Sequence, residues 1–174
     1  DLDAVLVDHA HCEHKAAVTA LSFVSKYPDD PHLVVSLSRL ARDEADHFAR
    51  VVQICVDRGL SLGHPLEHRY AKDLLQIVRN KVLEQRVDRL LGCALIEGRS
   101  CERLQLIARA LTHDPRGRAL DDAQGTLGQL YDELWREEAE HHTLFIELAE
   151  RTLSRAGDVH AKAHVDARLK EMAA

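Results

Sequence analysis

Arg42-Asp43-Glu44-Ala45-Asp46-His47 returns later in the chain as Arg136-Glu137-Glu138-Ala139-Glu140-His141. Each copy holds Glu-x-x-His. On a helix this spacing puts a carboxylate and an imidazole on one face, one turn apart. One such pair is weak evidence, because acidic and basic residues at this spacing usually form a solvated face. A four-helix bundle that binds two metal ions needs two such pairs, plus one lone Glu from each of two further helices. The repeat therefore raises a specific question: whether two more glutamates stand in register on other helices.

Working outward, the residues around the repeat read as long amphipathic helices. The second helix spans about Pro31 to Arg58, with a seam of Leu33, Leu37, Leu40, Glu44, His47, Val51 and Ile54. Asp30 is its expected N-cap, Pro31 its first helical residue and Gly59 its stop. The fourth helix spans about Leu120 to Leu153, with a seam of Leu127, Leu130, Leu134, Glu138, His141, Phe145 and Leu148. Gly125 and Gly128 weaken its first turns. In both seams the polar interruptions come from the repeat.

The other two long helices supply the lone glutamates. The first spans about Leu2 to Lys26, with Leu6, His9, Glu13, Ala17, Ala20 and Val24 in line. The third spans about Val82 to Leu111, with Leu83, Leu90, Ala94, Glu97, Cys101, Leu104, Ala108 and Leu111. Ala10-x-x-Glu13-x-Lys15 parallels Ala94-x-x-Glu97-x-Arg99, and each precedes a Glu-x-x-His helix. The separations are 31 residues (13 to 44) and 41 residues (97 to 138). The pattern is that of an internal duplication with pseudo-twofold symmetry.

Between the halves runs Gly59 to about Asn80, with a short helical piece at about Leu66 to Arg79. A long crossover between helical hairpins is a feature of ferritin-like bundles. Thr112 to Gly117 is a second break. After Ala156-Gly157-Asp158 a last amphipathic helix, with Ala161, Val165 and Leu169 as its apolar face, is expected outside the bundle. The fold expected is therefore all-α: a ferritin-like four-helix bundle with a crossover containing a short helix and an extra C-terminal helix, in one domain, residues 1–174. Composition agrees, with 45% hydrophobic residues but only 4% aromatic, and few Gly and Pro.

Six residues are the candidate metal ligands: Glu13, Glu44, His47, Glu97, Glu138 and His141. An ionised carboxylate buried without a partner costs several kcal/mol. Four converging carboxylates would repel one another, and two divalent cations balance them. Oxygen-rich coordination with one His per metal suits iron or manganese more than zinc, and likeness to known bundles selects iron. Glu102 falls about 140° round the helix from Glu97. Glu137 could also approach His141 at i, i+4, but the repeat aligns Glu138 with Glu44; Asp43, Asp46, Glu137 and Glu140 then read as outward groups or as hydrogen-bond partners behind the ligands, and His11, His14, His68 and His142 as surface residues. His9, one turn before Glu13, is either a hydrogen-bond partner of that carboxylate or a packed core histidine. No catalytic group beyond the ligands stands out.

The net charge of −6 argues against gripping nucleic acid by bulk charge, although 23 Lys and Arg leave room for a local basic patch. Cys12, Cys55, Cys93 and Cys101 form no Cys-x-x-Cys and read as buried thiols of a reducing cytosol. With no signal peptide and no membrane-length apolar run visible, a cytoplasmic protein that does not engage a membrane is expected.

Ligand spacing cannot choose between storing iron, making a radical and activating dioxygen. Here a resemblance enters. Asp8-His9-Ala10-His11-Cys12-Glu13-His14-Lys15-Ala16-Ala17 resembles the first-helix motif of the MiaE family, the tRNA 2-methylthio-N-isopentenyladenosine hydroxylases. Ser38 to Phe48 is similar to its second-helix motif. Ile96-Glu97-Gly98-Arg99-Ser100-Cys101-Glu102-Arg103 resembles its third, with Gly98 where the family leads one to expect Ala. Arg136 to His141 is similar to its fourth. The resemblance implies a non-haem diiron monooxygenase holding two iron ions and using dioxygen. It would hydroxylate the isopentenyl group of the modified adenosine beside the tRNA anticodon. It also implies an external electron donor, a reductase or ferredoxin, since the chain has no flavin or iron–sulfur motif. The alternative is a ferritin-like iron-binding or ferroxidase protein without an organic substrate.

Overall fold

The computed structural model describes residues 1–65, 69–121 and 125–174. Those residues form seven helices and no strand. The chain divides into two compact units, Asp1–Glu67 and His68–Ala174, each built on one long helical hairpin.

The first unit pairs α1 (Leu2–Lys26) with α2 (Pro31–Asp57). Asp1 caps α1 by accepting from the Asp3 backbone N–H. Asp30 does the same for the Leu33 N–H of α2, with Pro31 where a missing donor costs nothing. Gly59, at φ +71°, ends α2, and the Leu60 N–H reaches back to the Cys55 carbonyl at 2.8 Å. The buried seams follow the expected ones to the last turn, where Phe23 replaces Val24 and Cys55 replaces Ile54. The segment after α2 returns along α1. The Arg58 guanidinium pairs with Asp3 at 2.8 Å, and His11 Nε2 lies 2.9 Å from the Leu62 carbonyl oxygen. His11 is thus half-buried and bonded, whereas His14 is exposed.

The second unit contains α3 (Arg69–Gln76), α4 (Val82–His113), α5 (Pro115–Arg118), α6 (Thr126–Arg155) and α7 (Ala161–Ala173). α4 packs along α6, and α3, α5 and α7 lie against this hairpin. α3 stops before Arg79, and the expected start at Leu66 and the reading of His68 fall outside the described residues. The backbone N–H of Arg79 donates to the Asp88 carboxylate instead. The second break contains a helical turn, α5, capped by Asp114. Gly117 is required there, because a Cβ would stand 2.0 Å from the Ala110 carbonyl oxygen.

α6 begins later than expected. Gly125, at φ +69°, lies in the left-handed region and cannot continue a helix from Leu120. Asp121 caps the new start, accepting from the Leu127 and Gly128 N–H groups at 3.0 and 2.8 Å. Every expected seam residue of α6 is buried. On α4, Leu83 is exposed and Cys101 half-buried, while Val87, Asp88 and Leu91 join the core. On α7, Met172 is buried in place of Leu169, and its methyl group would just touch a Cβ added at Gly92.

Asp88 is fully buried and was not singled out from sequence. Burial alone would raise its carboxyl. Hydrogen bonds from Arg79 and Arg168 outweigh that and hold it down to about 2. Arg168 also donates to the Ile77 carbonyl at 2.7 Å. One carboxylate thus joins α4, α7 and the segment after α3.

Candidate metal centre

In the first unit, Glu13 on α1 and Glu44 and His47 on α2 are all buried. Each offers a ligand atom, and these atoms lie within 4.8 Å of one another. His47 Nδ1 is 3.4 Å from Glu13 Oε2 and 3.8 Å from Glu44 Oε2. On the other side of the Glu13 carboxylate, His9 Nε2 is 2.5 Å from Oε1. His9 is fully buried, so it is a hydrogen-bond partner as well as a core residue.

Burial pushes the Glu13 carboxyl up. Hydrogen bonds with His47 and His9, the charge of His9 and a hydrogen bond from Glu44 outweigh it, holding Glu13 well below the usual carboxylate range. Two carboxyl groups this close share a proton rather than both ionise. A divalent cation in the proton's place would be met by two carboxylates and an imidazole in a dry setting. This donor set fits an oxygen-preferring transition metal.

In the second unit, Glu97 on α4 and Glu138 and His141 on α6 are buried as well. Among the described residues these three do not by themselves close into a group of that kind. Cys93, half-buried, lies one turn before Glu97, and burial, reinforced by the Glu97 carboxylate, pushes its thiol up. No disulfide forms among the described residues, and of the four cysteines only Cys55 is fully buried.

The neighbouring acids separate from the candidates. Glu102, Asp46 and Glu140 are exposed, while Asp43 and Glu137 are half-buried. Arg42 hydrogen-bonds Asp43 at 2.8 Å. Arg99 stacks over the Tyr70 ring of α3, 4.5 Å from its centroid. His142 does not behave as a surface residue. Its Nδ1 lies 2.6 Å from the Ala94 carbonyl oxygen, tying α6 to α4 beside His141 and Glu97. The available signal was Gly98, since a Cβ there would sit 3.1 Å from that nitrogen.

The family model described as tRNA-(MS[2]IO[6]A)-hydroxylase (MiaE) matches residues 1–174. The chain belongs to the MiaE family. Its MiaE relatives include a Pseudomonas putida protein named tRNA 2-(methylsulfanyl)-N(6)-isopentenyladenosine(37) hydroxylase. The two are 36% identical over 149 residues, covering 86% of this chain and 67% of the relative. A Salmonella typhimurium protein of the same name is 27% identical over 198 aligned residues, covering 87% of this chain and 69% of its own. Among solved structures, a Synechococcus protein described as having aldehyde deformylating oxygenase activity is similar with a TM-score of 0.80. It is 34% identical, and the match covers 97% of this chain and 75% of that one. The fold class is the ferritin-like all-α class expected from the seams.

Proposed function

We propose that this MiaE-family chain is a non-haem diiron monooxygenase. Its substrate would be the isopentenyl group of 2-methylthio-N6-isopentenyladenosine beside the anticodon of tRNA. The observation that carries this reading is the family match over residues 1–174, joined to two relatives that bear the same hydroxylase name. These names favour hydroxylation over iron storage or ferroxidase activity. The aldehyde activity belongs to the Synechococcus protein's description, so an aldehyde serves as the control substrate.

In this reading Glu13, Glu44, His47, Glu97, Glu138 and His141 hold two iron ions, and residues 1–174 act as one domain. The duplicated motifs support it, as does the burial of all six side chains. Four carboxylates match the charge of two ferrous ions, leaving the imidazoles neutral as ligands. His9 fixes Oε1 of Glu13 and leaves Oε2 toward His47. Leu37, Leu40 and Val51 in the first unit and Leu90, Leu134 and Phe145 in the second keep the surroundings apolar and water out. Bound iron would supply the dioxygen activation that side chains cannot, with one oxygen atom entering a C–H bond, the other leaving as water, two electrons coming from an external reductase or ferredoxin and two protons from solvent. A cytoplasmic setting is part of the same reading, since the substrate is tRNA.

The test is aerobic incubation of iron-loaded protein with an electron donor and tRNA carrying the isopentenylated adenosine. Nucleoside mass analysis should show the gain of one oxygen atom on that nucleoside and no turnover of the aldehyde. An unchanged nucleoside, with iron bound and electrons delivered, would leave the ferroxidase reading in its place.

A further inference from the structure

Outside the buried ligands, the second unit carries a cavity of about 190 Å³ between α4 and α6. Gln105, Arg109 and His113 line it from α4, and Asp132 and Trp135 from α6. Trp135 is the only tryptophan of the chain. The guanidinium of Arg136 sits over its ring, 4.7 Å from the centroid, and also binds Asp132 at 2.6 Å. Trp135 Nε1 donates to the same carboxylate at 3.0 Å. The acidic lining residue is therefore already matched by a cation.

Of the rest of the lining, Arg109 carries a positive charge, and Gln105, Thr112 and His113 are polar. Arg109 is exposed and pairs with no described carboxylate, and the same holds for Arg116 and Arg118 on α5. From Arg99 to Arg118 the chain carries five arginines against Glu102 and Asp114, although its net charge is −6. Arg109, Arg116 and Arg118 are therefore exposed cations of this stretch that an anion can meet. An indole flanked by arginines is the combination that binds a single nucleic-acid strand, with a base on the aromatic ring and phosphates on the guanidinium groups.

We propose that this groove is an RNA-contact site, in which an unpaired nucleotide stacks on Trp135 while Arg109 and His113 meet the adjoining phosphates. The inference rests on the tRNA reading above and names the surface that would dock the strand. Trp135 precedes the candidate ligand Glu138 by three residues, about 4.5 Å of helix rise. A strand held there lies close enough for a neighbouring base to be turned out toward the buried site.

The single tryptophan makes the test direct. The full chain is titrated with an unmodified anticodon stem-loop RNA, and separately with inorganic polyphosphate, while Trp135 emission is followed. RNA should quench the emission, and polyphosphate should not. Arg109→Glu should weaken RNA binding about tenfold and lower the dependence of log K on log salt by about one. Lys170→Glu, the same charge change on exposed α7, should bind as the parent does, and matching thermal melts show that both variants fold. Absence of quenching, equal quenching by polyphosphate, or equal weakening by the two variants would overturn the site. Hydroxylation that persists with no quenching removes the groove and leaves the function. Quenching that depends on Arg109 without any hydroxylation removes the function and leaves the groove.

Discussion

His142 Nδ1 donates to the Ala94 carbonyl oxygen at 2.6 Å, and it does so across Gly98, where a Cβ would stand 3.1 Å from the same nitrogen. The ring is pinned by its hydrogen bond, so it cannot simply swing away. Gly98→Ala should therefore destabilise the chain by about 1 kcal/mol, despite the better helix propensity of Ala. In a His142→Ala background the same change should stabilise by up to about 1 kcal/mol. Urea denaturation of the four proteins gives the coupling, and additive effects would contradict the contact.

His9 touches the oxygen of Glu13 that faces away from His47. His9→Phe fills similar volume but removes that hydrogen bond. The folded chain should persist, with iron affinity about 10- to 100-fold lower in competition with a chelator. Unchanged affinity would reduce His9 to a packing residue.

Asp88 sets an acid limit on the second unit. Its folded carboxyl is held at about 2 against an ordinary value of 3.8. Below about pH 4 the unfolded chain binds the proton first, so the stabilisation is present above that pH and is lost as pH falls toward 2. Asp88→Asn should cost about 3 kcal/mol at neutral pH, because Arg79 and Arg168 then lose the buried carboxylate between them and Arg168 keeps only Glu171 as an acidic partner. The urea midpoints of parent and variant should converge between pH 4 and 2, and a constant gap would assign the cost to packing.

Ferrous iron should stabilise the protein as any ligand of the folded state does, by about 2.7 kcal/mol at one hundred times Kd. Glu97→Ala and Glu44→Ala each remove one proposed ligand, from different units. Both should abolish the iron-induced rise in Tm and the hydroxylation. A fully metallated, active Glu97→Ala protein would contradict the assignment.

The long helices were legible because their apolar period is strong and Asp30, Pro31 and Gly59 mark ends by their own chemistry. The burial of the six candidate ligands was legible for a related reason: a glutamate in an apolar seam is costly enough to be conspicuous. Other features depend on partners far away in sequence. Asp88 reads as an ordinary surface acid until Arg79 and Arg168 are seen around it. His142 reads as exposed until Gly98 is seen to make room. The start of α6 was misread because leucine at 120 suits a helix, whereas the left-handed turn at Gly125 and the cap from Asp121 come from the tertiary path.

The carboxylate at position 88 leaves the ribosome about eighty residues ahead of Arg168, its second guanidinium partner. Until α7 arrives, that end of α4 must stay wet, with Arg79 alone to answer the charge. The closing helix therefore works as a latch fitted last. Nascent chains or proteolytic fragments ending before Arg168 should expose the upper turns of α4 to amide exchange and to proteases, and the complete chain should protect them.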